Sequence, residues 1–411
     1  MTTSSLRLWP VRIVMGMLVV AALLGAQSVV ESSVDPYNKQ IIVLAGVNII
    51  LAVSLNLING ITGQFSLGHA GFMAIGAYTS AAFSFYAGPR LALIDPIIFV
   101  LALLIGAVAA GIAGLLVGLP SLRLRGDYLA IVTLGFGQII ITIIRTIREV
   151  GDASGFTNLP RFTTLAWVYG AVILCILCVR NLAESNLGRS MRAVRDDEVA
   201  AEAAGVNTTR IKVLAFVISS MWAGIAGALQ AHYLQLAHPD QFSFMQSVAV
   251  VVMVVLGGLG SITGSALAAV VLRVLEERLR DVSWAFGTGI ALILLAAALS
   301  LPRYRLMMRR GELGGVHGWI MWLRWPAVSA IGLCCLFFYG QQWMEANVSA
   351  LRYVIYALIL IVLMLLRPQG LLGRGEFGWH LFRRRKQPNE ETREAMAHTE
   401  PAEEETAGTL T

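Results

Sequence analysis

Charged residues are scarce in this sequence. Aspartate, glutamate, lysine and arginine make up 14% of its 411 residues, whereas a soluble domain carries about a quarter. Hydrophobic residues reach 57%, and they occur in blocks close to the roughly 20 residues that an α-helix needs to cross a bilayer. No run shows the alternating segments of about 10 residues typical of a membrane β-barrel. The composition therefore excludes an ordinary soluble domain and predicts an all-α, polytopic integral membrane protein.

Motifs for nucleotide or metal chemistry are also missing. The sequence has no G-x-x-x-x-G-K-[ST] loop that could hold the phosphates of ATP, no H-E-x-x-H and no G-x-S-x-G. Its six histidines are scattered without the spacing of metal ligands. These absences predict that the chain is not an enzyme and that it uses no cofactor and no metal.

The distribution of charge excludes two further classes. Acidic side chains are nearly absent from the apolar blocks, whereas a proton-driven transporter usually buries an ionisable group in the membrane. The net charge of +6 comes from arginines that flank apolar blocks, as the positive-inside rule predicts for a membrane protein. These arginines lack the interleaved aromatic residues of a single-strand binding surface, so no nucleic-acid partner is expected.

Cysteine is rare, with four residues in the chain. Cys175 and Cys178 form a C-x-x-C, but they lie inside the apolar block TLAWVYGAVILCILCV. A helix places both on one face, and no second pair of ligands is nearby. We therefore predict a packing role for this pair rather than a redox or metal role.

Twelve apolar segments are candidate membrane helices. Two of them, 245–258 and 264–276, are short and separated by the turn GGLGSITG, so they form either two tilted spans or a re-entrant hairpin. We accordingly predict about 10–12 transmembrane or re-entrant helices. The candidate segments are 11–30, 40–59, 69–87, 96–118, 127–147, 162–179, 211–233, 245–258, 264–276, 285–301, 325–340 and 351–367.

The placement of arginines predicts the orientation in the membrane. With a cytoplasmic N-terminus, six spans return the chain to the cytoplasm before the polar segment 181–210. Arg309 and the C-terminal tail then also face the cytoplasm, whereas Asp152 and Asp240 face the other side. This parity requires that 245–276 returns to the side from which it entered, because a single crossing would place Arg309 outside.

The polar segment 181–210 is helix-prone and carries charges of both signs between two apolar blocks. Strong helix formers from Ser190 to Ala204 predict one helix, and Gly205 then ends it. Arg192, Arg195 and Glu198 are spaced by three and would share a face of that helix. We interpret the segment as a docking element for another protein; a solvated loop helix without a partner is the alternative.

A second polar stretch, from Asn59 to Tyr78, combines five glycines with polar side chains. Its glycines allow sharp turns and close helix contact, and its polar groups could line a water-filled path. The alternatives are a tight loop that satisfies its own backbone and, for polar residues within helices, hydrogen bonding between helices. The candidate path residues are Asn56, Gln64, Ser66, His69, Thr133 and Gln138.

Five segments carry a resemblance to a known family. GQFSLGHAGFMAIGAYTSA, LRLRGDYLAIVTLGFGQII, GRSMRAVRDDEVAAEAAGVNTTRIKVLAFVIS, VVMVVLGGLGSITGSALAAVVL and RPQGLLG occur in this order. Together they resemble the branched-chain amino-acid (LivM-type) permeases of ABC importers. The similarity covers most of residues 40–276 and returns at 351–373.

The resemblance implies a multi-pass protein of the cell inner membrane that forms half of a heterodimeric pore. The implied partners are a second permease subunit, two ATPase subunits and an extracytoplasmic substrate-binding protein. The implied cargo is a branched-chain amino acid, with urea, short amides or small amphipathic acids in relatives. The implied contacts with the ATPase are Gly188, Arg192, Arg195, Asp197, Glu198, Glu202 and Gly205.

The resemblance also implies a domain organisation. Residues 1–373 would form the transmembrane permease domain, with 181–210 as the cytoplasmic coupling loop. Residues 302–350 depart from the family pattern and form an atypical insertion. Residues 374–411 are mostly polar and predict a disordered cytoplasmic tail. A stand-alone channel or facilitator is the main alternative function, and it differs from the importer in needing neither ATP nor an ATPase. A membrane-embedded enzyme is the third interpretation, which the lack of paired carboxylates disfavours.

Overall fold

The computed structural model describes residues 9–91, 94–121 and 127–278. Within these residues the chain is helical apart from its loops and one isolated antiparallel bridge between Phe156 and Ala237. This confirms the prediction of an all-α protein. The predicted spans 285–301, 325–340 and 351–367, the insertion 302–350 and the tail 374–411 lie outside the described residues.

Eleven α-helices follow one another in the described part of the chain. Each apolar segment predicted between residues 11 and 276 coincides with one of them, and two further short helices occupy the polar segment. The helices are α1 (Trp9–Ser33), α2 (Pro36–Asn56), α3 (His69–Ala82), α4 (Asp95–Ser121), α5 (Asp127–Ile144), α6 (Leu165–Glu184), α7 (Asn186–Asp196), α8 (Glu198–Ala203), α9 (Thr208–Leu234), α10 (Phe244–Gly257) and α11 (Ile262–Arg278).

Five of the described helical segments are long and apolar enough to cross a membrane. A sixth qualifies if α5 is counted together with the turns at Arg148–Ser154, to which it is bent by 87°. The helices α3 and α11 have 14 and 17 residues and are shorter than a typical span. The five segments are Pro36–Ile61, Asp95–Leu119, Leu165–Glu184, Thr208–Leu234 and Pro239–Gly257.

Helix α9 lies at the centre of the fold and packs most extensively against α4 and α3. The three helices meet at Gly76 of α3, Gly106 of α4 and Gly224 of α9. A Cβ at Gly106 would lie 2.8 Å from the Gly76 carbonyl oxygen, and one at Gly76 would overlap the Gly224 backbone. We call this junction the glycine seam. It brings helix backbones together as small residues do in membrane interfaces.

Helices α10 and α11 form an antiparallel pair joined by a tight turn. Gly257 and Gly264 pack backbone to backbone beside the turn, where Gly258 and Gly260 have positive φ angles of 108° and 90°. Both helices also pack against α2. Residues 245–276 thus contain two helices joined by a turn, as both alternatives for this segment, two tilted spans or a re-entrant hairpin, require.

Candidate functional site

The chain between α2 and α3 is a break in the helical structure. Helix α2 ends in a π-helical turn at Leu57–Ile61, in which the Thr62 amide donates to the Leu57 carbonyl at 3.1 Å. Gly63 then turns the chain with a φ of 75°, and a stretch without regular secondary structure leads to α3. In a membrane domain, irregular backbone is tolerated only where protein or a water-filled cavity surrounds it. We call residues 57–68 the polar break.

Polar atoms without a hydrogen-bond partner concentrate in and beside the polar break. Burying an unpaired polar group costs about 1–3 kcal/mol, so such a concentration makes the polar break the candidate site for a polar solute or water. Other unpartnered buried side-chain atoms of the described residues lie on Thr163, Gln241 and Arg273. The atoms at the break are Asn56 Nδ2, Asn59 Nδ2, Gln64 Nε2 and Oε1, Ser66 Oγ and His69 Nδ1.

Four predicted path residues, Asn56, Gln64, Ser66 and His69, lie together here and are buried. Thr133 is also adjacent, but its hydroxyl accepts from the Leu67 amide at 3.1 Å and donates to the Ala130 carbonyl at 3.0 Å. Thr133 thus holds the backbone of the break.

Gln138 is placed differently from the other predicted path residues. It lies on the exposed side of α5. Thr133 is buried on the same helix, five residues earlier. Gln138 is therefore not one of the residues that the structure gathers at the polar break.

Serines from neighbouring helices support the polar break, and the sequence interpretation missed them. The Ser54 hydroxyl lies 2.9 Å from His69 Nε2, and the Ser219 hydroxyl donates to the Ser54 carbonyl at 2.6 Å. The Ser247 hydroxyl accepts from the Ala70 amide at 3.1 Å. Single serines inside apolar helices were the available signal, because such residues form hydrogen bonds between membrane helices.

The predicted single helix Ser190–Ala204 is wrong, because the structure contains α7 and α8 with a break at Asp197. The Asp197 backbone is extended, and its carboxylate accepts from the amides of Val199 at 2.9 Å and Ala200 at 3.1 Å. Aspartate at an N-cap satisfies the first free amides of a helix, so it starts α8 rather than continuing α7. Consequently Glu198 does not share a helix face with Arg192.

The predicted coupling residues divide into an outer and an inner group. Met191, Val194 and Ala201 are buried and attach α7 and α8 to the rest of the chain. Arg195 and Glu198 are partly buried, and Gly188 is buried. We call the exposed surface of the two helices the outer face. The predicted residues on it are Arg192, Asp197, Glu202 and Gly205.

Close packing explains why position 188 is occupied by glycine. A Cβ at this position would overlap the carbonyl oxygens of Leu182 and Ala183. The Gly188 amide donates to the hydroxyl of Ser185, the N-cap of α7, at 3.3 Å. The residue therefore permits the close turn from α6 into α7.

Glu198 forms an ion pair with Lys212 of α9 at 2.6 Å. The Lys212 side chain is 10% exposed and the Glu198 side chain 25%. An ion pair shielded from water in this way loses less to solvent screening than a surface pair does. The pair fastens α8 to the start of the central helix α9.

Arg195 points from α7 into the polar break. Its Nη1 donates to the Gly60 carbonyl oxygen at 3.1 Å, and a Cβ at Gly63 would lie 2.5 Å from Arg195 Cγ. Gly60 belongs to the π-helical turn Leu57–Ile61 that follows α2, and carbonyl groups at such a helix end lack helical partners and carry partial negative charge. The guanidinium therefore stabilises this helix end; a hydrogen bond to a charged group is worth about 1.5–3 kcal/mol.

The turn before α11 also contacts the polar break. The Gly260 amide donates to the Asn56 side-chain carbonyl at 2.9 Å, and a Cβ on Gly60 would overlap the Gly260 amide nitrogen. Gly260 itself lies close to Arg195, since a Cβ there would be 3.4 Å from Nη1. The sequence predicted GGLGSITG only as the turn between two short apolar segments, and its contact with Arg195 was not predicted.

Comparison with known proteins supplies the family. Residues 38–301 match the model of the "Branched-chain amino acid transport system / permease component" family. The chain is 38% identical over 268 residues to the high-affinity branched-chain amino acid transport system permease protein LivM of Salmonella typhimurium, covering 57% of this chain and 61% of that protein. It is 36% identical over 273 residues to LivM of Escherichia coli, covering 58% and 62%.

A more distant relative carries a different name. The fructose import permease protein FrcC of Rhizobium meliloti is 30% identical over 193 residues, which cover 41% of this chain and 54% of that protein. No solved structure matches the chain. The matched part of this chain spans less than two thirds of the length of either LivM protein.

The family match includes the polar break, α7 and α8, and the turn before α11, and it extends over more than half of the sequence. These are the parts that the structure joins through Arg195, Gly60 and Gly260. The chain is thus a multi-pass membrane protein that belongs to the permease family of branched-chain amino acid ABC transport systems.

Proposed function

We propose that this chain is the membrane-spanning permease subunit of an ATP-driven importer and that it supplies half of the translocation path. The observation that carries the proposal is a buried cluster of polar atoms at the polar break that have no hydrogen-bond partner among the described residues, inside an otherwise apolar helical unit. A purely structural element would be expected to pair these atoms, because each unpaired one lowers stability. A solute or water that moves through the site can supply the missing partners.

We propose that Asn56, Gln64, Ser66 and His69 face the moving solute. Their polar atoms are uncharged amide, hydroxyl and imidazole groups, and they lie among buried aliphatic residues such as Leu57 and Ile58. Such a site can hydrogen-bond the charged ends of an amino acid while its aliphatic wall contacts an apolar side chain. In this proposal Thr133 holds the backbone of the polar break.

Gln138 is not enclosed like the other proposed path residues, so its proposed role differs from theirs. Because it is exposed on α5, it can reach the path only where a second permease subunit covers that face. We therefore propose that Gln138 faces the partner permease.

The outer face is the proposed docking surface for an ATPase subunit. It presents Arg192, Asp197 and Glu202 to solvent and an apolar side chain, Val199, that is 63% exposed. Charged groups around an exposed apolar residue are the usual composition of a protein contact. Gly205 ends α8 with a φ of 84° and leaves open space beside it, which fits a surface approached by another chain.

The proposed cargo is a branched-chain amino acid, and the proposed partners are a second permease, two ATPase subunits and an extracytoplasmic binding protein. The names of the two LivM relatives support the cargo class. Urea or a short amide remains the alternative cargo. In this proposal residues 1–373 form the permease domain, 181–210 are cytoplasmic, and the protein resides in the inner membrane.

Reconstitution in lipid vesicles tests the function. Vesicles that contain this chain, the second permease and the ATPases are supplied with binding protein and radiolabelled leucine, with ATP on the ATPase side. We expect concentrative uptake that stops when the ATPase phosphate-binding loop is inactivated. Unlabelled valine and isoleucine should compete, whereas urea should not. Leucine flux through this chain without ATP and without ATPase subunits would identify a facilitator and contradict the proposal.

A further inference from the structure

The structure assigns Arg195 a role beyond membership of the coupling segment. We propose that Arg195 is the positioning residue that transmits movement of α7 to the solute path, through Gly60 and Gly260 to Asn56. The inference rests on the proposed importer function. It separates two roles within one helix, because docking would belong to the outer face and transmission to Arg195.

The geometry of the guanidinium supports this separation. Nη1 donates to the Gly60 carbonyl, whereas Nε and Nη2 donate to Asp196 Oδ1 at 3.1 and 3.0 Å. The planar fork of arginine fixes the directions of these donors relative to one another. Asp196 thus braces the head group from α7, and a displacement of α7 moves the donor that holds Gly60.

The next contact is between two backbones. Gly60 and Gly260 approach so closely that a Cβ on Gly60 would overlap the Gly260 amide nitrogen. This contact joins backbone to backbone, so no flexible side chain lies between Gly60 and Gly260 to absorb a displacement. A movement of the Gly60 carbonyl is therefore passed to Gly260 rather than lost in side-chain rearrangement.

The last contact joins Gly260 to Asn56, one of the proposed path residues. The Gly260 amide is hydrogen-bonded to Asn56 Oδ1, and the other amide atom of Asn56, Nδ2, is buried without a partner in the described part of the chain. Turning the carboxamide redirects an unpaired donor within the polar break. A displacement of α7 outside the path would thus change the hydrogen-bonding groups presented inside it.

Arg192 provides the matched comparison on the same helix. It lies three residues before Arg195 and is exposed on the outer face. Both residues carry the same charge, so a difference between their variants reports position rather than charge. Arg192 should act in docking and Arg195 in transmission.

The test uses the complete complex in lipid vesicles with Arg195→Met, Arg195→Lys and Arg192→Met. ATP hydrolysis, leucine uptake and the amount of bound ATPase subunit are measured on each preparation. For Arg195→Met we expect leucine transported per ATP to fall about tenfold, because a charge-assisted hydrogen bond is lost, while ATPase binding stays normal. Arg195→Lys should restore part of the ratio, since an ammonium can still donate to Gly60. Arg192→Met should lower ATPase binding, hydrolysis and uptake together and leave the ratio unchanged.

A double variant sharpens the result. If Arg195 acts through Asn56, Arg195→Met combined with Asn56→Ala should lower the transport ratio no further than the more severe single change. Independent, multiplying losses would overturn the proposed route. An unchanged ratio in Arg195→Met would overturn transmission itself, and losses that follow membrane abundance alone would do the same. Failure of the wild-type complex to show ATP-dependent uptake would instead contradict the importer function. Should Arg195→Met not reach the membrane, Arg195→Lys and Asn56→Ala carry the same comparison.

Discussion

The glycine seam and the polar break both depend on glycine to bring backbones close together, but the surroundings of the glycines differ. At the seam, Gly76, Gly106 and Gly224 bring three helix backbones together. At the break, Gly60 and Gly260 bring two irregular backbones beside Arg195 and Asn56. The difference lies in the neighbours. Helix backbones at the seam have their hydrogen bonds satisfied internally, whereas the break depends on side chains and leaves some polar atoms unpaired.

This difference predicts where the molecule is rigid and where it responds. Packed helices of small residues gain many short contacts and resist separation. A segment with unpaired buried groups has a lower local stability and is suited to rearrangement. Changes at the seam should therefore lower the stability of the fold, and changes at the break should alter transport first.

The largest effect is expected for Gly76→Ala at the seam. The added methyl group would overlap the Gly224 backbone, and overpacking of this kind costs about 1–3 kcal/mol. The melting temperature and membrane abundance should both fall. The matched control is Gly135→Ala on α5, which meets open space and should have no such effect. A normal melting temperature for Gly76→Ala would contradict the rigid seam.

A smaller and different effect is expected for Ser66→Ala in the polar break. The Ser66 hydroxyl is buried and makes no hydrogen bond in the described structure, so its removal should leave the melting temperature unchanged or slightly raise it. Leucine uptake should fall about three- to tenfold if the hydroxyl contacts cargo.

The control for Ser66→Ala is Ser54→Ala, which removes the partner of His69 Nε2. It should lower the melting temperature as well as uptake. Equal stability losses for the two serine variants would remove the distinction between path and support.

Lys212→Met should have a moderate effect on the attachment of α8. It leaves the Glu198 carboxylate in a partly buried position without this ion pair, at a cost below the roughly 3–5 kcal/mol of a fully buried pair, because Glu198 is 25% exposed to solvent screening. Adding Glu198→Gln should recover part of the loss. A double-mutant cycle on the melting temperature measures the coupling, and strictly additive losses would show that the pair contributes nothing.

The smallest effect is expected for Gly205→Ala at the end of α8. No atom lies within contact distance of the added methyl group, but the φ of 84° costs about 1–2 kcal/mol for an L-residue. Because this turn is exposed and unpacked, the chain can relax most of the strain by shifting φ, so the melting temperature should fall only slightly. Gly205→Asn should be milder, since asparagine tolerates this conformation. A large loss for both variants would show that the turn is more tightly packed than the structure indicates.

Much of the helical architecture follows from the sequence alone. The apolar blocks define α1 to α6 and α9 to α11, because every backbone polar group of a membrane segment must be paired and a helix pairs them locally. The polar segment 181–210 is equally visible from composition. Even there, the division at Asp197 was missed, although aspartate followed by a helix-forming run is a recognised start signal.

Which side chains of a helix are buried and which are exposed depended on tertiary packing. Thr133 and Gln138 are both polar residues of α5, yet one supports the polar break and the other is exposed. Arg192 and Arg195 carry the same charge on one helix, yet only Arg195 is seen to reach Gly60. Periodicity places residues on a face of their own helix, but it does not state which face meets a neighbour.

The sequence by itself determined that this protein is a helical membrane protein with a polar segment between its spans, because hydropathy and local helix signals act over a few neighbouring residues. Only the tertiary structure decided that Arg195, Gly60, Gly260 and Asn56 form one set of contacts. Their positions are separated by up to 204 residues, as between Asn56 and Gly260. Contacts over such a separation arise from the packing of whole helices, which no local pattern encodes.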